Sequence, residues 1–290
     1  MRRRNFLGCS VLFLASATVA CSPVAAPPAA TELPALRLAV TDVSGEAELE
    51  KNYGEFRAAI ATALETDVEF VPVDNYTAAT VALKQGKIDL VLAGPSEYVV
   101  ISSRTNAVPV IAVTRPNYQS VLAIPANSDV SEVAGLEGKS IAMSDIGSTS
   151  GHLGPTYLLM EAGLDPKADV TVQMLGDDGS AAALKTGDVE AWGGSATDFN
   201  DLLADESNTF KVLLEGPPLP SDVMLASSSV DAAVLDIVRE RMLDAEAEIV
   251  GALAAHESKY VGSTLEPASD KDYDSIRAVY QAIGQGELVQ

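Results

Sequence analysis

The sequence predicts an α/β protein built in two parts, each a mainly parallel sheet flanked by helices. Three observations carry this. Short apolar runs with strand character alternate with helically spaced runs, and this alternation occurs twice along the chain. Polar or proline-rich stretches interrupt it at 127–138 and 216–220. The chain has 290 residues, 47% of them hydrophobic, which is enough core for two domains of ordinary size.

The first series opens with a buried strand at 36–41. A helix follows at 48–64, where Leu49, Tyr53, Phe56, Ile60 and Leu64 recur at three- and four-residue steps. A second strand is expected at 68–73, then a helix over Tyr76–Lys84 opened by Asp74-Asn75 and stopped by Gly86. A third strand at 88–93 turns through Gly94-Pro95-Ser96 into a helix, and a fourth spans Val108–Val113. Such β-α-β runs place ligands beyond the carboxyl ends of the strands.

A strand at Gln119–Pro125 leads into the second series. It comprises strand 141–143, a turn and helix at 148–163, strand 170–174, helix 180–185, strand 189–192, helix 197–203 and strand 210–214. The return uses a strand at Asp222–Ala226, a long helix over 230–253 and a last helix over 275–283. The expected domains are therefore 36–120 with 222–290, and an inserted 121–221, with crossovers near 120–126 and 215–226. A cleft between such parts is a preferred ligand site.

The amino terminus reads as an address. Residues 1–20 have a basic start (Arg2, Arg3, Arg4), an apolar run and small residues at the end, the pattern of a secretory signal. Arg3-Arg4-Asn5-Phe6-Leu7 resembles the twin-arginine export motif, the alternative being a generic positive leader. Ala17-Thr18-Val19-Ala20-Cys21 resembles a bacterial lipoprotein box with Cys21 as the lipidated residue, although Thr18 stands where leucine is usual. Residues 21–35, rich in Pro and Ala, suit an extended tether. The expected location is exported, on the periplasmic or cell-surface side, tethered to the membrane through lipidated Cys21.

The whole chain carries a formal charge of −22; beyond the leader 16 basic face 41 acidic residues, a net of −25. This argues against a nucleic-acid partner, which needs a basic footprint. An anionic ligand would have to be held by local dipoles against an unfavourable overall field.

Residues 140–163 are the most informative stretch. An apolar run ends at Asp145; Gly147, Ser148, Thr149, Ser150 and Gly151 follow, and then a helical pattern. The free N–H groups and positive dipole at a helix start, joined by three hydroxyls, suit an oxyanion. An ordinary Ser/Thr cap is the alternative. Pro155 places the start of regular helix near itself, leaving 148–154 to wrap a ligand.

Together, four motifs resemble the PhnD-type family, the substrate-binding proteins of ABC importers for phosphonate and phosphite, over residues 36–280. They are Val73-Asp74-Asn75-Tyr76, Tyr118-Gln119-Ser120-Val121-Leu122, Ser148-Thr149-Ser150-Gly151 with Pro155, and Leu219-Pro220-Ser221-Asp222. The resemblance implies a two-lobed periplasmic-binding-protein clamshell of type II kind, with an ABC permease as partner and a monomeric working form. It also implies roles. Ser148, Thr149 and Ser150 would donate to the anion, and Tyr76 and Tyr118 would add phenol donors and an apolar wall. Asp222 would accept from a protonated ligand oxygen. Where many members have Gly-His, this chain has Gly176-Asp177, so an acceptor stands in a donor's place. Asp177 either meets the ligand or points to solvent from a turn. A glutamate that meets the amine of aminoalkyl phosphonates would fall near Thr197 or Asp198. The expected ligand is a small oxyanion (phosphite, methylphosphonate or phosphate), bound more weakly as pH rises and its last proton is lost. Sulfonates, or a role feeding a membrane sensor, are the alternatives.

No cofactor or metal is expected, and no enzyme activity. Beyond Cys21 the chain has no cysteine, and its two histidines, His152 and His256, are expected at exposed positions. A G-x-S-x-G elbow and a phosphate loop ending in Gly-Lys-Ser/Thr are both absent.

Overall fold

A computed structural model of the chain describes residues 32–43, 45–204 and 208–290. The expected leader, most of the tether and Cys21 lie outside these residues. Leu33–Gln290 forms one unit containing two sheets.

The elements follow in order. They are β1 (Leu36–Val40), α1 (Glu46–Leu64), β2 (Val68–Phe70), α2 (Tyr76–Lys84), β3 (Leu90–Ala93), α3 (Pro95–Thr105), β4 (Val108–Val113), β5 (Gln119–Pro125), β6 (Ser140–Met143), α4 (Gly154–Glu161), β7 (Thr171–Met174), α5 (Gly176–Thr186), β8 (Ala191–Ser195), α6 (Ala196–Asp198), β9 (Phe210–Pro218), β10 (Asp222–Ala226), α7 (Ala232–Asp244), α8 (Glu246–Ala254), β11 (Leu265–Pro267) and α9 (Asp274–Ala282). The first sheet has the order β11-β4-β10-β3-β1-β2, the second β7-β6-β8-β5-β9.

Strand alternation builds a core on each face of each sheet. Leu38, Val40, Leu90, Leu92 and Met224 pack under α1, α7 and α8, while Ala39, Val91, Ala93 and Val223 face α2, α3 and α9. In the second sheet Leu122, Ile141 and Met143 lie on one side, and Val121, Ala142 and Trp192 on the other. Both faces are covered, so the strands read as continuous apolar runs.

The fold is of the expected class, and several features refine or depart from the sequence expectation. The sheets are mixed: β10 lies antiparallel between β3 and β4, and β5 lies antiparallel between β8 and β9. The reason is topological, because β5 leaves from the carboxyl end of β4 and enters the second sheet from that same side, and β10 makes the reverse trip. The helix expected at 230–253 is broken at Ala245. The break sets Ile249 and Leu253 on the core already covered by Leu235, Val238 and Met242, and lets Glu246 accept from the Leu265 N–H at 3.0 Å. Strand β9 continues through Gly216-Pro217-Pro218 as an edge strand, where proline is tolerated. The helix expected from Ser180 begins at Gly176, and that at 197–203 is a short helix running into a π-helical turn at Phe199–Leu203. Strand β11, three residues long and ending in proline, carried no pattern to find.

A candidate oxyanion cleft at the carboxyl ends of both sheets

A cavity of about 600 Å³ opens where the strand ends of both sheets meet. Thr41 and Asp42 follow β1, Tyr76 opens α2 after β2, Ser96 and Glu97 follow β3, and Arg115 follows β4. From the second sheet come Ser144 and Ser148–Ser150 after β6, Asp177 after β7 and Asp198 after β8. Tyr118 enters just before β5, and Asp222 is the first residue of β10. Because β5 and β10 run against their neighbours, their amino ends lie at the carboxyl ends of the parallel strands. The Asp222↔Val113 and Val223↔Ala93 pairings fix this. All seven ligand positions expected from sequence (Tyr76, Tyr118, Ser148, Thr149, Ser150, Asp177, Asp222) line this one cavity.

The Ser148–Gly154 segment is more structured than a loose wrap. Thr149–Leu153 forms a π-helical turn, and regular helix begins at Gly154, beside Pro155 as expected. Ser148 Oγ accepts from the Gly151 N–H at 3.1 Å, and the Ser144 N–H donates to Gly151 O at 3.0 Å. A Cβ on Gly151 would fall 2.4 Å from Ser144 Cβ, so only glycine fits this approach. Thr149 Oγ1 accepts from the Ser96 N–H at 3.0 Å and donates to Ser96 Oγ at 2.8 Å, and Ser96 Oγ donates to Gly147 O at 2.5 Å. These bonds tie the second sheet's hydroxyl turn to the start of α3 on the first. Tyr118 is buried beside the Thr149 and Ser150 hydroxyls; burial raises the pKa of its phenol, while Arg115 and these hydroxyls oppose the rise. His152, expected at an exposed position, is half-buried, and its Nδ1 accepts from the Gly147 N–H at 3.1 Å. Burial lowers its pKa. His256 is exposed as expected, 3.4 Å from Glu55.

Asp177 lies in the first turn of α5 with its Oδ1 accepting from the Ser144 hydroxyl, and it lines the cavity. Asp198 is held by Ser195, whose Oγ donates to Asp198 Oδ2 at 2.6 Å and accepts from its N–H at 2.9 Å; burial raises its pKa.

Sequence reasoning missed two cations. Arg115 is buried, its guanidinium carbon 3.7 Å from the centroid of the Tyr118 ring, and it lies 3.6 Å from Asp222 Oδ1. Burial opposes its charge, but Tyr118 and Asp222 outweigh this and raise its pKa. Tyr260 donates to the other Asp222 oxygen at 2.8 Å. Arg115 Nε and Asp222 Oδ1 are both buried and lack a hydrogen-bond partner among the described residues. Lys259, from the turn Ser258–Tyr260, pairs with Asp42, which also accepts from Tyr53 at 2.9 Å. Burial pushes Asp42 up, yet Lys259 and these bonds hold it below its ordinary value. A signal for Arg115 existed: it stands two residues after a strand end and three residues before Tyr118. Lys259 sits in a polar connection with no pattern. An anion here would therefore meet two cations as well as local dipoles.

The family described as "ABC transporter, phosphonate, periplasmic substrate-binding protein" matches residues 38–273. The chain is 26% identical over 275 residues to the phosphate-import protein PhnD of Mycolicibacterium smegmatis, covering 86% of each. It is 28% identical over 127 residues to a probable phosphite-binding PhnD1 of Prochlorococcus marinus, 41% of this chain and 43% of that protein. The structure of Prochlorococcus marinus PhnD1 in complex with methylphosphonate superposes with a TM-score of 0.71 at 18% identity, covering 87% of this chain and 98% of that one. The aliphatic sulphonate-binding protein SsuA of Escherichia coli shares the fold more distantly, with a TM-score of 0.61, 18% identity and 88% of each chain. No helix among the described residues is long and apolar enough to cross a membrane. With its match across most of the chain, its two mixed sheets and its strand-end cavity, the chain belongs to the periplasmic substrate-binding proteins of phosphonate ABC transporters.

Proposed function

We propose that this protein captures a small phosphorus oxyanion (phosphite, methylphosphonate or phosphate) between two lobes and delivers it to an ABC permease. The observation that carries the ligand class is the orphaned pair, Arg115 Nε and Asp222 Oδ1. Leaving a buried donor and a buried acceptor unpaired is costly. A ligand offering one ionised oxygen and one P–OH satisfies both at once; a sulfonate, which has no such proton, satisfies only the arginine. The hydroxyls of Ser148 and Ser150 and the phenols of Tyr76 and Tyr118 supply further donors, and the hydroxyl of Asp177's partner Ser144 lies alongside. The similarity to a phosphate importer and to a phosphite-binding protein supports the same class.

The lobes in this reading are residues 36–120 with 222–290, and 121–221, each holding one sheet. The ligand contacts both and stabilises their closure. The protein acts as a monomeric binder and does no chemistry on its ligand: His152 Nδ1, the base nearest the serines, is spent on the Gly147 N–H. Export and tethering through a lipidated Cys21 complete the reading, on the strength of the leader motifs.

A second reading has its own support. Among the described residues seven carboxylates and two cations line the cavity, and its volume exceeds what a bare oxyanion fills. A phosphonate with an amine arm would suit that excess.

Titration calorimetry against phosphite, methylphosphonate, phosphate, 2-aminoethylphosphonate and sulfate tests both. Binding of the first three, with sulfate silent, is the expected result. Exclusive binding of 2-aminoethylphosphonate selects the second reading, and a preference for sulfate rejects both.

A further inference from the structure

On the first-sheet side of the cavity the carboxylates of Asp42, Glu97 and Asp222 stand together, Asp222 buried, Glu97 half-buried and Asp42 more open, and two of them have cations. Asp42 is matched by Lys259, and Asp222 by Arg115. Glu97 has neutral donors only: its Oε2 accepts from the Gly94 N–H at 3.0 Å and from the Thr41 hydroxyl. Its side chain lines the cavity from the first turn of α3. The charges that face it come from Asp42 after β1 and Asp222 at the start of β10, both negative, and α9 presents the phenol of Tyr280. Lys259 and Arg115, paired with those two aspartates, also line the cavity, and Asp198 lines it from the second-sheet side. Of these three acids Glu97 alone has no cation partner among the described residues, and an arriving anion adds negative charge beside it.

Resting on the oxyanion reading above, we infer that Glu97 takes up a proton from solvent when the oxyanion binds, so that ligand capture is proton-coupled. The carboxylate becomes a carboxylic acid and nothing else changes hands. The proton settles on Oε1, because Oε2 already accepts two hydrogen bonds, and the new O–H is a donor for the cavity. Burial, reinforced by Asp42 and Asp222, already raises Glu97 to about 7, so uptake costs little near neutrality. Asp42 is unsuited to the role, since Lys259 and its hydrogen bonds hold it low. Asp198 is the competing acceptor, as burial raises it too.

The linkage has a definite sign. Below about pH 6 Glu97 is protonated in both states and uptake vanishes; above 7 it is ionised when free and protonated when bound, so affinity falls as pH rises. Calorimetry of phosphite binding at pH 8, in two buffers of different ionisation enthalpy, counts the protons. Wild type should take up about half to one proton more per anion than Glu97→Gln, while Asp198→Asn should match wild type. An equal count in wild type and Glu97→Gln overturns the inference. So does a loss of uptake confined to Asp198→Asn. Should the glutamine variant fail to fold, the carbon-13 shift of the assigned Glu97 carboxyl in wild type at pH 8, free and with saturating phosphite, gives the check: a move to the protonated value on binding supports the inference, and an unchanged shift overturns it. If no anion gives heat with wild type, the oxyanion reading falls first and this inference with it; heat with an unchanged proton count rejects the inference only.

Discussion

Among the described residues the buried Nε of Arg115 meets no acceptor, and beside it Asp222 keeps one oxygen without a hydrogen-bond donor. Each is half of an incomplete hydrogen-bond set, which is how a binding site differs from a structural ion pair. Charge-assisted hydrogen bonds are worth roughly 1.5–3 kcal/mol each. Arg115→Gln should therefore weaken phosphite binding by about 10- to 100-fold, measured by calorimetry, with Arg115→Lys intermediate because a lysine keeps the charge and loses the planar fork. Unchanged affinity in the glutamine variant would remove Arg115 from the site. All seven residues expected from sequence line the cavity because each belongs to a strand-end motif with a recognisable order. The cations were harder to read. A single arginine after a strand has no periodicity, and Lys259 reaches its place only through the tertiary path of a long connection. Glu97 was equally hidden: it looks like an ordinary N3 acid of a helix, and its bond to the Gly94 N–H is the cap such a residue makes.

The turn and helix at residues 148–161 show what an element adds to its residues. Its hydroxyls were legible, but their partners were not. Thr149 spends its proton on Ser96, and Ser148 caps the Gly151 N–H. Hydrogen-bond partners 53 residues away cannot be read from local spacing. Gly151 is the tight point of the element, and its substitution is the cleanest probe. Gly151→Ala puts a methyl 2.4 Å from Ser144 Cβ, which cannot swing aside as a long side chain could. Overpacking of this kind costs about 1–3 kcal/mol. Chemical denaturation should show a loss of that size, together with weaker anion binding, because Ser144 also donates to Asp177. A variant as stable as wild type would mean that the turn can relax without cost. The mixed direction of the sheets belongs to this scale too. Strand positions were written in the apolar runs, but the reversal of β5 and β10 follows from which end of a sheet the chain leaves.

Across the whole molecule, the bonds from Ser96 to Thr149 and Gly147 join the two sheets at one side of the cavity, and Ser258 Oγ donates to Asp201 Oδ2 at 2.8 Å. Leu153, from the second-sheet turn, packs into a core of the first sheet. If the lobes open and close, these contacts set the balance in the absence of ligand. Thr149→Val removes both hydrogen bonds made by the hydroxyl, each worth about 0.5–1.5 kcal/mol. Small-angle scattering of the ligand-free variant should give a larger radius of gyration than wild type, with saturating phosphite restoring the smaller value. Identical radii without ligand would assign Thr149 to the ligand and not to closure. The two chain crossings bear on the same motion. Residues 114–118 and 219–221 run side by side, with the Leu219 N–H donating to Tyr118 O at 2.9 Å. If the lobes turn about these crossings, Arg115 and Asp222 would lie close to the pivot, where rotation carries an atom least, and Ser148 and Thr149 on the moving part. A guest would then meet a stationary charge at the fulcrum in every posture of the jaws, and only the outer grip would have to arrive.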